Sequence, residues 1–197
     1  LTRNLATFRA VRHIKRGGQT AAILSGVQAA NAPLVVTLDG DGQNDPADIL
    51  ALLEVYNSHG GEDGRLMVSG WRKNRNDNWG KRTSSQIANM VRRSILSDQT
   101  QDTGCGLKIF RREDFLSLPT FDHMHRFMPA LMLRAGGRVL SVEVSHRPRQ
   151  HGRSNYGTFN RLWVGIVDLF GVAWLKRRRI NIETMVISAP DDRTGSA

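Results

Sequence analysis

The segment VVTLDGDGQNDP, residues 35–46, places acidic and amide side chains directly after a run of apolar residues. Asp39, Asp41 and Gln43 occupy every second position, so an extended backbone would direct all three side chains to the same side. Oxygen donors of this kind are ligands of Mg²⁺ and Mn²⁺, which commonly bind one or two carboxylates together with substrate phosphates. The spacing therefore predicts a metal-diphosphate site. The other interpretation is a polar loop that only caps the next helix, a role that Asp45 already fills.

Segments of strand character alternate with segments of helical character around this motif. The predicted strands are 8–14, 32–39, 65–70, 106–112 and 138–148, and the predicted helices are 17–30, 45–61, 78–96 and 125–137. Asp45 is the predicted N-cap of the second helix, with Pro46 at its first position. The alternation predicts an α/β domain with a mostly parallel sheet, and the continuous apolar run of 32–39 predicts a strand buried on both faces. In such sheets ligands bind at the carboxyl ends of the strands, where Asp39 and Asp41 lie.

Polar residues that suit phosphate binding follow the next predicted strand. Arg72 comes after this strand at the same sheet edge as Asp39, and a guanidinium can hold a phosphate through two parallel hydrogen bonds. An isolated arginine is otherwise most often a solvated surface charge. On the following helix, Lys81, Ser85 and Asn89 are spaced i, i+4 and i+8, which places a cation, a hydroxyl and an amide on one face. A polar helix face in contact with water has the same pattern.

The segment DTGCG holds an aspartate in a glycine-containing turn ahead of a predicted strand. Gly104 and Gly106 allow a ligand to approach the backbone, so Asp102 is a candidate for orienting a donor-site cation or an acceptor group. An aspartate that bonds its own turn backbone is an equally good interpretation. Cys105 is predicted to be a small buried side chain rather than a nucleophile, because no basic residue is adjacent to it in the sequence.

The composition narrows the classes of function. The 197 residues are 40% hydrophobic, which suits one domain with a core, and the formal net charge is +10. This charge predicts an anionic partner, which is a nucleic acid, a phosphorylated substrate or an anionic membrane surface. The single cysteine excludes an intrachain disulfide and a cysteine-based zinc site.

The segment FNRLWVGIVDLFGVAWLKRRR, residues 159–179, indicates how the chain could contact a membrane. Its apolar core of about fourteen residues contains an aspartate and is too short to span a hydrocarbon layer of about 30 Å. The apolar residues on one helical face are Trp163, Val167, Phe170 and Trp174, and basic residues follow at 176–179. This pattern predicts an amphipathic helix in the membrane interface, with its basic end on anionic headgroups. A core helix packed on the sheet has the same apolar face.

Six ordered blocks of the sequence resemble the inverting family-two glycosyltransferases, specifically the polyprenyl-phosphate sugar transferases typified by dolichol-phosphate mannosyltransferase. The blocks lie within residues 11–178 and read LDGDGQNDPADI, VSGWRKNRND, SSQIANMVRR, DTGCGLKIFRRE, HRFMPALMLRAGG and HRPRQHGRSNYG. The resemblance implies a GT-A (Rossmann-like) fold, a nucleotide-diphosphate sugar donor and Mg²⁺ or Mn²⁺. It also implies a polyprenyl phosphate acceptor, dolichyl or undecaprenyl, and peripheral attachment at the cytoplasmic face of a bacterial inner membrane.

The resemblance assigns roles in substrate binding to individual residues. Arg72 matches the family's phosphate-contacting arginine. Arg149 and Ser154 match an R-x-x-G-x-S segment whose arginine binds the donor pyrophosphate. Arg147 and Arg153 add to a concentration of positive charge in this loop that is unusual for a simple connection, and we expect them to bind substrate as well.

The family has Arg, Ser and Asn where this chain has Lys81, Ser85 and Asn89. Lys81 is a departure from the family, and Arg82 beside it is a possible substitute, so we divide the acceptor-phosphate role between these two residues. Asn155 stands where dolichol-type members usually have lysine, which leaves the lipid-phosphate contacts at that position open.

The chemistry expected of such a site needs no general base. A phosphate monoester has its second pKa near 6, so its oxygen is already a nucleophile at pH 7. The site must instead supply positive charge to the leaving nucleoside diphosphate, through the metal and through Arg72 and Arg149. The predicted catalytic residues are Asp39, Asp41 and Asp102.

The expected organisation is a catalytic domain at 1–157, an amphipathic helix at 158–179 and a disordered polar tail at 180–197. The family begins with a strand that ends in an acidic DD-x-S segment, which holds the base and ribose. Nothing ahead of LTRNL matches this segment. We therefore expect that the first βα unit is lacking, and that donor binding by this chain alone is weak and indifferent to the base.

Two other classes of function remain open at this point. A basic nucleic-acid-binding module would fit the charge, but the tryptophans cluster with the apolar C-terminal helix and the acidic centre would repel phosphates without a metal. We therefore expect no nucleic-acid partner. A non-catalytic membrane-surface scaffold is the second alternative. Metal-dependent binding of a nucleoside diphosphate separates both from a transferase.

Overall fold

The computed structural model describes residues 7–61, 64–73, 90, 92–98, 100–145, 147 and 158–180. The strands are β1 (Leu34–Thr37), β2 (Leu66–Trp71), β3 (Lys108–Arg111) and β4 (Arg138–Glu143). The helices are α1 (Gly18–Ala29), α2 (Asp48–Ser58), α3 (described over 92–96), α4 (Arg112–Leu116), α5 (Met128–Arg134) and α6 (Thr158–Arg177). A 3₁₀ turn, Met124–Arg126, precedes α5.

The four strands form one mixed sheet in the order β1-β3-β2-β4. The α/β class is confirmed, but the expectation of a mostly parallel sheet needs a correction. β1, β2 and β4 run in the same direction, whereas β3 lies between β1 and β2 and is antiparallel to both. This direction brings the start of β3 to the sheet edge at which β1 and β2 end. There Lys108 pairs with Thr37 on one side and with Ser69 on the other.

β1 is less buried than the sequence predicts. It lies at an edge of the described sheet, and all four of its residues are half-buried. The prediction of a strand covered on both faces is therefore wrong for 32–39. β2 has a strand on each side, and its residues 66–70 are buried.

The predicted strand at 8–14 is also wrong. These residues form no regular structure, and Val11 and Ile14 are exposed because no layer covers them. His13 attaches the segment to α1, with its Nε2 atom 2.8 Å from Oγ of Ser25.

Two predicted helices begin later than expected. α2 starts at Asp48 rather than at Pro46, because 45–47 form a separate turn in which Oδ1 of Asp45 accepts the Ala47 amide at 3.1 Å. The predicted helix 125–137 is divided into the 3₁₀ turn and α5. The division falls at Phe127, and α5 then begins at Met128 with Pro129 in its first turn, where a residue without an N–H is favoured.

Two apolar cores cover the two faces of the sheet. Alternate residues of a strand point to opposite faces, so Leu66 and Val68 of β2 lie in a core with α2, whereas Met67 lies in the other core. That second core also contains Val27 of α1 and Val172 of α6. The helices α1, α5 and α6 therefore pack on the face opposite α2.

Candidate functional site

A small cleft opens where β1 ends and β3 begins, with a cavity volume of about 170 Å³. We call it the Asp39 cleft. α1 contributes Gln19, the end of β1 contributes Asp39, the start of β3 contributes Lys108, and the 3₁₀ turn contributes His125. The backbone of the DTGCG turn closes one side. The cleft is therefore at the carboxyl end of β1, as predicted.

Asp39 is held on the wall of this cleft. Its Oδ1 atom accepts a hydrogen bond from Nε2 of Gln19 at 3.0 Å. Its carboxylate packs against Gly106 so closely that a Cβ atom at position 106 would overlap it. Gly106 is fixed in turn, because Oγ1 of Thr37 donates to its carbonyl oxygen at 2.7 Å. The orientation of Asp39 therefore depends on the absence of a side chain at Gly106.

Asp41 and Gln43 do not follow Asp39 into the cleft. The chain turns at 40–42, with Gly42 at a φ of 76°, so the alternation of an extended strand does not continue past β1. Oδ1 of Asp41 accepts the amide of Gln43 at 3.2 Å. Neither residue is among the described residues that line the cleft.

The oxygen atoms of this loop are nevertheless the type of ligand that a hard divalent cation binds. Asp39 and Asp41 supply carboxylate oxygens from one short loop, and these are the ligands that Mg²⁺ and Mn²⁺ prefer. Within the described part of the chain, no three His, Cys, Asp or Glu side chains gather into a ready metal cluster. The assignment of Asp39, Asp41 and Gln43 as metal ligands stays a prediction.

Arg72 and Asp102 form a buried ion pair beside the cleft. Nε of Arg72 lies 2.7 Å from Oδ2 of Asp102, and Nη2 lies 3.0 Å from Oδ1. Their side chains are only 11% and 8% exposed. Burial lowers the pKa of the Arg72 guanidinium, but the hydrogen bonds and charge of Asp102 outweigh burial, and the pKa is raised overall. The fork of donors predicted to hold a phosphate is therefore turned to Asp102.

Asp102 also bonds its own turn, because its Oδ1 atom accepts the amide of Gly104 at 3.1 Å. This contact is the one expected of a turn aspartate. The ion pair with Arg72 gives the residue a second task, which is to connect the end of β2 to the turn ahead of β3. The proposed catalytic role of Asp102 stays a prediction.

Lys108 is a site residue that the sequence did not reveal. It is 4% exposed and donates hydrogen bonds from Nζ to the carbonyl oxygens of Thr103, at 3.4 Å, and Cys105. Burial lowers the pKa of Lys108, and neighbouring acidic groups, which include Asp102 and Asp39, offset only part of this effect. The available signal was a lysine within an otherwise apolar strand pattern, a position that needs polar partners when buried.

Cys105 is buried, as predicted, and burial raises the pKa of its thiol. A Cβ atom at Gly70 would lie 2.9 Å from its Sγ atom, so the DTGCG turn is closely packed on β2. A thiol in this environment is a packing group rather than a nucleophile.

His125 is a second residue to which the sequence gave no role. Its Nδ1 atom lies 2.7 Å from Oγ1 of Thr20, and this contact joins the 3₁₀ turn to α1. Burial and the positive charges of Arg126 and Lys108 lower the pKa of His125 to about 4. The imidazole is therefore neutral at pH 7.

The arginine-rich loop begins next to the loop of the D-x-D motif. The amide of Arg147 donates to the carbonyl oxygen of Gln43 at 3.0 Å, and its guanidinium pairs with Asp45. The side chain of Arg147 is half exposed. The remaining predicted substrate residues lie outside the described residues, and their roles stay predictions: Lys81, Arg82, Ser85, Asn89, Arg149, Arg153 and Ser154.

α6 presents an apolar stripe to the surface. The stripe consists of Trp163, Val167, Phe170 and Trp174, each more than half exposed. The helix also contributes to the core, where Val172 is buried. Of the helices that the structure describes, none is both long and apolar enough to cross a bilayer.

The sequence is similar to that of a known protein family and to those of curated proteins. The model of glycosyl transferase family 2 matches residues 3–118. Dodecaprenyl-phosphate galacturonate synthase of Rhizobium johnstonii is 35% identical over 173 residues, which cover 86% of this chain and 50% of the relative. Undecaprenyl-phosphate 4-deoxy-4-formamido-L-arabinose transferase of Aeromonas hydrophila is 34% identical over 140 residues, covering 71% of this chain and 41% of the relative. The chain thus spans half or less of the length of these two relatives.

The fold is similar to that of solved glycosyltransferases. Glucosyl-3-phosphoglycerate synthase from Mycobacterium tuberculosis, in complex with Mg²⁺ and UDP, matches with a TM-score of 0.54 and 16% identity, over 82% of this chain and 55% of that one. The same enzyme with Mn²⁺, UDP-glucose and glycerol 3-phosphate matches with a TM-score of 0.51 and 17% identity, over 82% and 55%. At this level of identity the likeness concerns the fold, which is GT-A-like.

Proposed function

Because the chain belongs to glycosyl transferase family 2, we propose that it transfers a sugar from a nucleotide-diphosphate sugar to a polyprenyl phosphate, with inversion. The observation that carries the proposal is the Asp39 cleft, in which the carboxylate of Asp39 and the buried amine of Lys108 line one cavity at the carboxyl end of β1. Support for the acceptor comes from the two curated relatives, which are named for dodecaprenyl and undecaprenyl phosphate.

The proposed reaction forms one bond and breaks one bond. An oxygen of the lipid phosphate attacks the anomeric carbon, and the bond from that carbon to the nucleoside diphosphate breaks, so the leaving group takes the electron pair. The nucleophile is already ionised at pH 7 and transfers no proton. A neutral His125 at the cleft agrees with this chemistry, because a site that moves no proton needs no acid with a pKa near 7.

The residues of the cleft supply charge and orientation instead. Asp39 and Asp41 would hold Mg²⁺ or Mn²⁺, and a bound metal would neutralise the charge of the diphosphate. The similar glucosyl-3-phosphoglycerate synthase, whose complexes contain these metals, supports this choice of cation. Lys108 adds a buried amine whose Nζ atom is fixed on carbonyl oxygens of the DTGCG turn, next to the place proposed for the diphosphate. Arg72 and Asp102 keep the DTGCG turn in place next to Asp39.

We extend the proposal to the location of the protein. Residues 1–157 form the catalytic domain, α6 lies in the interface of an anionic membrane, and attachment is peripheral, at the cytoplasmic face of the bacterial inner membrane. The exposed apolar stripe supports this placement, since a monomer in water rarely exposes a row of tryptophan and phenylalanine side chains.

The test of the proposed function is metal-dependent binding of a nucleoside diphosphate. A thermal-shift screen with Mn²⁺ shows which nucleoside diphosphates bind, and calorimetry then measures the affinity of one of them. We expect Asp39→Asn to weaken Mn²⁺-dependent binding at least tenfold, because it removes a charged oxygen ligand without changing the volume of the side chain.

The matched control is Glu54→Gln, which makes the same chemical change at an exposed position of α2. It should bind as the parent does, and both variants should keep the parent's melting temperature within a few degrees. Unchanged affinity in Asp39→Asn would contradict the metal assignment. Absence of metal-dependent binding in the parent would favour the scaffold alternative.

A further inference from the structure

An apolar groove lies between α6 and the segment that leads to the 3₁₀ turn, with a cavity volume of about 420 Å³. Pro119 and Phe121 form one wall, and α6 contributes Val167, Gly171 and Trp174 to the other. A groove of this size and composition is typical of a site for an apolar ligand.

One acidic residue, Asp168, also lines the groove. Its side chain is only 18% exposed, and its Oδ2 atom lies 3.4 Å from Nδ1 of His123, on the 3₁₀ side. This Oδ2 atom is buried and makes no hydrogen bond among the described residues, so Asp168 places one polar group on an otherwise apolar wall. The surface that remains for a ligand is apolar.

From these features we propose that the groove binds the isoprenoid chain of the polyprenyl phosphate acceptor. This inference rests on the proposed function. An isoprenoid chain is long, flexible and uncharged, so it needs an open apolar channel rather than a closed pocket. The bound complex is stabilised because apolar surface of the isoprenoid chain is removed from water along the length of the chain.

The position of the groove suits a ligand whose phosphate lies in the Asp39 cleft. Phe121 lines the groove, and Arg126, five residues further along the same segment, lines the cleft. Five residues span at most about 18 Å, so the two sites are close enough for one amphipathic molecule to occupy both. The 3₁₀ turn lies between them and would contact the first isoprene units.

The other end of the groove meets the membrane-facing surface. Val167 and Trp174 belong both to the groove and to the apolar stripe of α6. A lipid chain can therefore pass from the hydrocarbon layer into the groove without crossing a polar surface. This continuity favours a membrane lipid as the occupant over a water-soluble molecule.

Gly171 allows the groove to be filled without altering the fold. A Cβ atom at Gly171 meets nothing within 4 Å, so the leucine of Gly171→Leu would extend into open space within the groove. Leucine also favours a helix more than glycine does. Gly165→Leu is the matched control, because Gly165 lies on the same helix, has equally open surroundings and is not among the described residues of the groove.

The experiment measures binding of two probes by calorimetry, in the absence of a sugar donor. Farnesyl phosphate carries an isoprenoid chain, and isopentenyl phosphate carries the same headgroup on a single short unit. We expect Gly171→Leu to weaken farnesyl phosphate binding at least tenfold and to leave isopentenyl phosphate binding unchanged. Gly165→Leu should bind both probes as the parent does.

Equal binding of farnesyl phosphate by the parent and Gly171→Leu would overturn the proposal. A change in oligomeric state of Gly171→Leu, measured by sedimentation, would also overturn it by showing that a second copy of the chain covers the groove. Because these measurements use no donor, the result is independent of catalysis. Chain-dependent binding without sugar transfer by the parent would contradict the proposed function and leave the groove assignment standing.

Discussion

The geometry of single residues determines where the charges of the cleft lie. Asp39 is positioned by a backbone that has no side chain at Gly106, and Arg72 is positioned by a carboxylate rather than by a ligand. Lys108 is buried with its Nζ atom on two carbonyl oxygens of the turn. These contacts fix the cleft before any substrate enters, and preorganisation of this kind is a large part of electrostatic catalysis.

The role of Gly106 can be tested directly. In Gly106→Ala the added Cβ atom would overlap the Asp39 carboxylate, so the carboxylate must leave its place on the cleft wall. We expect at least a tenfold loss of Mn²⁺-dependent binding of the nucleoside diphosphate, with the fold retained, as measured by calorimetry and circular dichroism.

Gly104→Ala is the control for that variant. Its Cβ atom would lie 3.3 Å from Nη2 of Arg72, the far end of a side chain that can shift by a few tenths of an ångström. We expect binding close to that of the parent. If Gly106→Ala bound the nucleotide as tightly as Gly104→Ala, then the carboxylate of Asp39 would not need its present position.

Among the secondary-structure elements, those with strong local patterns were predicted from the sequence. α1 and the strands β1, β3 and β4 lie within their predicted ranges, and β2 ends one residue past its range, because apolar periodicity and glycine boundaries are properties of the segment itself. The direction of β3 was not predicted, since it depends on which strands pair with it. The same reason explains why Lys108 was missed, because its neighbours Thr37 and Ser69 come from distant strands.

The contact between α1 and the 3₁₀ turn predicts a pH dependence of stability. His125 has a pKa of about 4 in the folded protein, below its ordinary value of 6.5. Between these pH values the unfolded chain binds more protons, so the free energy of unfolding falls as the pH is lowered from 6.5 to 4. We expect His125→Gln to lose less stability than the parent over this range, as measured by urea unfolding at pH 7 and pH 4.5.

The comparison needs a control for the substitution itself, and His59→Gln provides it at an exposed position after α2. Thr20→Val removes the hydroxyl partner of His125 and should lower stability at pH 7, since a half-buried imidazole nitrogen would lose its hydrogen bond. Identical acid sensitivity in the parent and His125→Gln would show that other groups account for the loss.

At the scale of the whole molecule, the proposed membrane attachment draws on two features, the net charge of +10 and the apolar stripe of α6. In the proposed placement, the stripe would supply apolar area to the membrane interface, and the basic residues after it would be attracted to anionic lipid. Lys176 is an exception among these basic residues. Its Nζ atom donates to the carbonyl oxygen of Leu96, so this charge faces the protein.

Membrane binding should therefore depend on Arg177 and Arg178, which are exposed. We expect Arg177→Glu and Arg178→Glu each to weaken binding to vesicles that contain anionic lipid by about 1 kcal/mol or more. Added salt should weaken binding of the parent, because it screens exposed charges. Sedimentation with vesicles measures both effects.

Arg12→Glu makes the same change of charge at an exposed position ahead of α1 and should have a smaller effect. Binding of the parent that is as strong to neutral vesicles as to anionic ones would contradict the electrostatic part of this prediction. A parent that stays in solution with anionic lipid would show that the stripe of α6 has some other partner.

The strand order has a consequence for the kinetics of folding. Every ladder of the described sheet joins residues far apart in the chain: Leu34 with Arg111, Met67 with Phe110, and Leu66 with Arg138. Closing the large loops between these strands costs conformational entropy before the strand contacts contribute any stability. The sheet should therefore form slowly compared with a helical bundle of similar size. Asp39 and Gly106 come together only through the pairing of β1 with β3. The ability to bind a nucleotide should therefore appear late during refolding, at the same rate as the sheet and after the helices.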